Sequence, residues 1–231
     1  MDEIKYQKDI LNYHIYEVKS IDSTNTFFKE NYDKYPSNSI LIAKTQTNGR
    51  GRYDRVWQSF DNDLCFSILI KDKKLNYEVI SPLSIVLALN DYNICTFIKW
   101  PNDIYLNDLK LSGILIEDIY LNEFKASIIG IGINQLSKIN LGIGLNEIKN
   151  IDNMDLLSKI LYYFNLLLEK DFKYINELYI KYSYVIGKDV YYNNKLYKVI
   201  NIDNNNHLVL KNEEEVITVI SDEINMKKAM A

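Results

Sequence analysis

Apolar positions along this chain recur with two spacings, and the change from one to the other marks out its elements. Ile15, Tyr16 and Val18 lie in a stretch, residues 10–19, that predicts a first strand, and the run Ile40-Leu-Ile-Ala43 predicts a buried strand ending at Lys44. Between them Asp22 or Ser23 suits a helix N-cap, for a helix from Asn25 to about Lys34 with Phe27 and Phe28 on its apolar face. Pro36-Ser-Asn38 ends it. Asp63-Leu-Cys-Phe-Ser-Ile-Leu-Ile70 predicts a second buried strand. Ile80, Leu83, Ile85, Val86, Leu87 and Leu89 then predict a helix over 78–93, with Pro82 in its first turn, where proline is tolerated.

Three further strands are expected at Thr96–Lys99, Gly113–Ile119 and Lys125–Ile133. Polar turns at Leu106-Asn-Asp-Leu109 and Leu121-Asn-Glu123 favour antiparallel hairpins over long crossovers. Gly142, Gly144 and the stretch 146–153 read as a loop, and residues 156–168 and 172–182 have helical spacing, with Tyr and Leu stripes that belong to a core. From Gly187 the pattern shortens to alternating runs at 189–192, 195–202, 207–211 and 216–220, separated by tight polar turns such as Asn193-Asn194, which predicts a small barrel-like β domain. The expected class is α+β: a mixed, largely antiparallel sheet with packed helices over residues 1–185, and a β domain over 186–231.

Length and composition agree with this outline. The chain has 231 residues, 47% of them hydrophobic, enough for a core without staples. Its 27 basic and 31 acidic residues give a net charge of −4, and apart from Arg50, Arg52 and Arg55 no tail or face concentrates the basic ones, which argues against a general nucleic-acid binder. Cys65 and Cys95 sit in apolar runs without metal-type spacing and are expected to be buried free thiols in a reducing compartment. His14 and His207 carry no ligand spacing. The N-terminus shows no signal-peptide pattern and no stretch approaches the ~18 apolar residues of a membrane span, so a cytoplasmic location is expected.

The candidate chemistry begins after the Ile40–Lys44 strand. The loop Thr45-Gln-Thr-Asn-Gly-Arg-Gly-Arg-Tyr-Asp-Arg-Val-Trp57 combines Gly49 and Gly51, Arg50, Arg52 and Arg55, and Trp57. Glycines let backbone N–H groups approach an anion, guanidinium forks match carboxylate and phosphate oxygens, and an indole can stack on a ring. By itself such a loop also reads as a solvated, flexible surface segment.

Further motifs add weight: Ser23-Thr-Asn25 upstream, then Lys99-Trp-Pro-Asn-Asp103, Lys110-Leu-Ser-Gly-Ile-Leu115 and Gly130-Ile-Gly-Ile-Asn134. In this order and spacing the set resembles the biotin–protein ligases, and the resemblance spans nearly the whole chain. It implies a class II synthetase-like catalytic domain, a C-terminal SH3-like domain, and formation of biotinyl-5′-AMP from biotin, ATP and Mg²⁺, followed by transfer of biotin to a lysine of a biotin carboxyl carrier protein. Joining two anions requires cationic groups to offset their repulsion. The resemblance assigns Arg50 and Arg52 to the biotin carboxylate and adenylate phosphate, Arg55 to the ATP phosphates, Lys110 to the biotin carboxyl and reacting phosphate, and Lys99 to phosphate oxygens. Arg52, Lys110 and Lys99 are thereby the catalytic candidates.

Ser23, Thr24, Asn25 and Gln46 match positions around the bicyclic head of biotin, where hydroxyls and amides suit a ureido group; for Ser23 a helix N-cap role competes and can coexist. Gly49, Gly51 and Gly113 are read as places where backbone comes close to ligand, with a strand bulge as the alternative for Gly113. Asn102, Asn134 and Trp57 are expected around the nucleotide, and Asp103 is the Mg²⁺ candidate. One departure stands out: where the family commonly has a glycine, this chain has Asp54, which would weaken a phosphate site unless it pairs with Arg55 or turns outward. Only about twenty residues precede the Ser-Thr-Asn motif, too few for the winged helix-turn-helix of repressor members, so a monofunctional enzyme is expected. A homodimer through the sheet edge is possible. The rivals are a lipoate or octanoate ligase on the related fold and a nonenzymatic binding module.

Overall fold

The structure is a computed structural model that describes residues 2–71, 75–137, 142–220, 222 and 224–226. β1 (Lys5–Ile10) and β2 (Tyr13–Ile21) form a hairpin, α1 (Thr24–Asn31) crosses over, and β3 (Ser39–Gln46) returns parallel to β2. A two-stranded ribbon of β4 (Gly49–Arg50) and β5 (Val56–Trp57) precedes β6 (Leu64–Ile70) and α2 (Tyr77–Asn90). β7 (Phe97–Lys99), β8 (Asp103–Leu106), β9 (Leu109–Leu121) and β10 (Glu123–Ile133) follow as successive hairpins. α3 (Asn153–Leu168) and α4 (Phe172–Lys181) then lead to β11 (Asp189–Tyr192), β12 (Lys195–Ile202), β13 (Leu208–Lys211), β14 (Val216–Val219) and β15 (Asn225–Met226). The main sheet has the order β1-β2-β3-β6-β10-β9-β8-β7 and the second the order β14-β13-β12-β11-β15.

The central strands are apolar on both faces because both are covered. Along β3, Leu41 and Ala43 pack with Phe27 and Phe28 of α1, whereas Ile40 points into the larger core under α2 and α3. β10 divides likewise, with Ala126 and Ile128 on the α1 side and Ile129, Ile131 and Ile133 on the other. This period of two is the strand pleat acting on a continuous apolar run. The second sheet shares that larger core through Val190, Val199, Leu208 and Leu210, and the Trp100 indole N–H donates to the Asn206 carbonyl at 2.9 Å.

Several elements depart from the sequence expectation. The strand expected over 10–19 is two strands, because left-handed Leu11 (φ 54) turns the chain, and β1 escaped notice because its polar residues sit on an exposed edge. β8, β15 and the β4–β5 ribbon were too short to show a period. Pro82 lies inside α2, beyond its first turn, where it contributes no N–H to the helical ladder. Cys65 is buried but Cys95 is exposed, both as free thiols, because Cys95 lies in the α2–β7 connection and not in a strand. The expected cap at Ser23 is present, accepting from Thr26 N at 3.4 Å, and Asp152, in the stretch read as loop, caps α3 by accepting from Met154 N at 2.8 Å. With only eight glycines in the chain, Asn and Asp take the left-handed turn positions, including Asn107-Asp108 and Asn193-Asn194.

Candidate active site

The N-cap of α1 and the end of β3 meet because β2 and β3 run parallel and finish side by side, Ile21 opposite Gln46. There Gln46 Oε1 accepts from the Thr24 backbone N–H at 2.8 Å and from its hydroxyl at 3.1 Å. Ser67, from β6, places its hydroxyl 2.7 Å from Thr24 Oγ1 and 2.6 Å from Asn25 Oδ1. Ser23, Thr24, Asn25 and Ser67 are all at most 4% exposed. This polar cluster is therefore organised inside the fold with its buried groups already hydrogen-bonded.

The arginine segment is a ribbon rather than an open loop. Gly49 pairs with Trp57 and Arg50 with Val56, Arg55 N donates to Arg52 O at 3.2 Å, and Gly51 N donates to Arg55 O at 2.7 Å. Between them Tyr53 (φ 54) and Asp54 (φ 58) occupy the left-handed region, the geometry of a tight hairpin turn that glycine or asparagine usually fills. Asp54 thus adopts the backbone a glycine would, and it is exposed and outside the cavity lining, which answers the concern about its charge. The Arg52 guanidinium donates to Tyr53 OH at 3.0 Å and lies 4.9 Å from the Tyr53 ring centroid. A Cβ at Gly49 would collide with the Trp57 carbonyl, so this glycine serves the ribbon's own packing.

Under the ribbon, Gly113 of β9 and Gly132 of β10 are cross-strand partners. A Cβ on Gly132 would collide with the Trp57 indole and one on Gly113 would lie 3.1 Å from both Trp57 and Lys110 Nζ, so the paired glycines form a flat seat for the ring. Gly130 does the same for Asn25, whose amide oxygen a Cβ would strike. Lys110 Nζ pairs with Asp103 at 2.7 Å, and Lys99 Nζ donates to Tyr105 OH at 3.2 Å. Asn102 donates to the Ile114 carbonyl at 2.7 Å.

These pieces surround one cavity of ≈ 220 Å³. It brings together Ser23, Thr24, Asn25, Gln46, Arg50, Gly51, Arg52, Arg55, Trp57, Lys99, Asn102, Asp103, Lys110 and Gly113. Gly49 and Asn134 are absent from its lining. Asn134 instead donates from its side chain to the Lys110 carbonyl at 3.3 Å, and is 3% exposed. Asp103 is the only carboxylate among the lining residues, and no group of three metal-ligating side chains occurs among the described residues. Such a donor set fits a magnesium ion that arrives on a triphosphate and needs one or two carboxylates, and does not fit a cation held by protein ligands alone.

Sequence reasoning missed Ser67 and Glu117. Glu117 of β9 accepts from Arg50 Nη1 at 3.0 and 3.3 Å, from Lys29 Nζ at 3.0 Å and from Asn25 Nδ2 at 3.1 Å. Burial pushes its carboxyl up, but the hydrogen bonds from Lys29 and Asn25 and the charges of Arg50 and Lys29 outweigh burial and hold it below its ordinary value. The signal for Ser67 was a hydroxyl inside an otherwise apolar strand, and for Glu117 an acid directly after the apolar run Ile114-Leu-Ile116.

Comparison with known proteins places this geometry. Residues 17–134 match the family model described as Biotin/lipoate A/B protein ligase family. The bifunctional ligase/repressor BirA of Bacillus spizizenii is 27% identical over 97% of this chain and 78% of its own length. Biotin–protein ligase 2 of Arabidopsis thaliana is 29% identical over 69% of this chain, which spans 55% of that protein. Among solved structures, the biotin protein ligase from Aquifex aeolicus in complex with biotin and ATP superposes with a TM-score of 0.80 at 28% identity, over 93% of this chain and 99% of that one. The match covers the strands, the ribbon and the glycine seats that build the cavity, and the chain belongs to the biotin/lipoate A/B protein ligase family.

Proposed function

We propose that this chain is an ATP-dependent biotin–protein ligase that forms biotinyl-5′-AMP and transfers biotin to a lysine of a biotin carboxyl carrier protein. The observation that carries it is the two-sided cavity: a neutral hydroxyl and amide wall at Ser23–Asn25 and Gln46 faces Arg50, Arg52, Arg55, Lys99 and Lys110. The neutral wall suits a ureido head, which has two N–H donors and one carbonyl acceptor. The cationic wall suits a carboxylate brought against a triphosphate. In the first step a biotin carboxylate oxygen bonds to the α-phosphorus as the bond to pyrophosphate breaks. In the second, the carrier lysine's neutral amine attacks the acyl carbon and AMP leaves.

Lys110 and Arg50 offset the two anions, Arg52 closes over the adenylate, Lys99 and Arg55 hold phosphate oxygens, and Asn102 with Trp57 holds the nucleotide. Magnesium, when bound with ATP, supplies neutralisation of the triphosphate, and Asp103 is the carboxylate that would hold it, exchanging its present partner Lys110 for the ion. The Aquifex relative, solved with biotin and ATP, supports the substrate pair. A lipoyl chain would need a long apolar pocket, which the neutral polar wall does not offer.

We place residues 1–185 in the catalytic domain and 186–231 in the β domain, and the reaction in the cytoplasm. No helix of the described residues is long and apolar enough to cross a membrane. The test is incubation of the purified chain with ATP, Mg²⁺, biotin and a biotin carboxyl carrier domain. Biotin on the carrier lysine, dependent on ATP, is expected; labelling no greater than in the ATP-free control would refute the assignment.

A further inference from the structure

We infer that Glu117 is the positioning residue that locks the head-group wall to the arginine ribbon, so that one carboxylate sets the places of Asn25 and Arg50 together. Glu117 sits on β9 opposite Ile128, in a register fixed by the centre of the main sheet. From there it receives donors from separate parts of the chain: Asn25 and Lys29, one helical turn apart on α1, and Arg50 on the ribbon. Asn25 is held from its other end as well, since its amide oxygen accepts from Ser67 and rests over Gly130. The amide therefore has one orientation, with nitrogen toward Glu117 and oxygen toward Ser67.

Arg50 is half-exposed and stands on a ribbon that also carries Arg52 and Arg55, close to Lys99 and Lys110 across the cavity. Those cations repel it. Glu117, with a side chain only 14% exposed, is the anion that holds its Nη1 in place. An ionised carboxylate only accepts, and so it serves every one of these donors at once. A glutamine of the same shape cannot, because its NH₂ end would face N–H donors. Glu117 touches neither reacting atom in this reading. It acts through Asn25 and Arg50.

The inference rests on the proposed biotin–ATP reading, and its test is arranged so that the two fail separately. Titration calorimetry with biotin on the wild-type chain comes first; no heat of binding there would overturn the reading itself. With wild-type binding in hand, Glu117→Gln is expected to weaken biotin about tenfold or more, while the stoichiometry per total chain stays at the wild-type value. A purely structural role would lower the stoichiometry by loss of folded protein and leave the Kd of the remainder unchanged. Glu117→Asp keeps the charge on a shorter stem, gives the readout should the glutamine variant fail to fold, and is expected to fall between wild type and Gln. Pyrophosphate exchange should show the same split, with KM for biotin rising more than KM for ATP. A wild-type Kd for biotin in the folded fraction of either variant would overturn the inference.

Discussion

The two walls of the cavity are built on different terms. At Ser23–Asn25, Gln46 and Ser67 the polar groups are hydrogen-bonded within the fold, Ser23–Asn25 and Ser67 are buried, and Asn25 rests over Gly130, so this wall has its shape before any ligand arrives. The β4–β5 ribbon is short, its tip residue Tyr53 is 56% exposed, and Arg52 makes its hydrogen bond to that same exposed neighbour. The cost of ordering the neutral wall is met during folding. The cationic wall holds more like charges on little buried surface than Glu117 and Asp103 offset, and a bound anion would lower the remaining repulsion. The contrast assigns recognition to the rigid wall and closure to the ribbon.

The sharpest break should come from the cationic side at Lys110. Lys110→Ala is expected to lower biotin-dependent pyrophosphate exchange about 10²–10³-fold, the scale for loss of one fixed charge at a reacting group. Next is Arg52→Gly. Losing a charge-assisted hydrogen bond of about 1.5–3 kcal/mol should raise adenylate escape roughly tenfold to a hundredfold. That variant should still release pyrophosphate and should biotinylate added albumin, since a mixed anhydride acylates amines without an enzyme; pyrophosphate release as low as in Lys110→Ala would show that Arg52 takes part in the chemical step.

On the rigid side, Ser67→Ala removes the donor to Asn25 and the partner of Thr24. Stability should fall by about 1–3 kcal/mol, seen as a lower Tm by calorimetry, with biotin affinity weakened about tenfold. A Tm equal to wild type would mean the buried wall is not the preformed element described here. Hydrogen exchange sharpens the comparison directly. With biotin and ATP present, amides of residues 49–57 should slow markedly, while those of 23–25 and 67 should already be slow without ligand.

The smallest effect concerns pH. The Glu117 carboxyl is held below its ordinary value of 4.5 in the folded chain, so in that interval the unfolded chain binds more protons and stability rises with pH. The stabilisation is present above about pH 4.5 and is lost as pH falls through the folded value. The stability gap between wild type and Glu117→Gln should accordingly narrow as pH falls below about 4.5 in urea melts, and a constant gap would contradict the sign.

Much of this was legible in the chain. The continuous apolar run at Ile40–Ala43 and the paired Phe27 and Phe28 gave the layers, since a strand covered on both faces is apolar at every position. The glycine and arginine motifs gave most of the cavity because the residue types themselves carry the chemistry. Asn134 shows the limit: its motif pointed to the cavity, yet its side chain braces the Lys110 carbonyl from a buried position outside the lining. Pro82 shows another, since a well-packed helix tolerates what propensity places at its start.

What the sequence by itself determined was the class of the fold, the position of the ribbon after a buried strand, and the supply of cations, glycines and small polar groups. Local propensity, periodicity and residue chemistry depend on neighbours within a few positions, and these survive in a linear reading. The tertiary structure alone decided which of those groups meet. Ser67 lies 42 positions from Asn25 and Glu117 lies 67 from Arg50, and only the β3–β6–β10–β9 order brings them within hydrogen-bond reach. A hydroxyl in an apolar strand or a single acid on a sheet has no local signature of its partner, because its meaning is set by strand register, which is a property of the whole sheet.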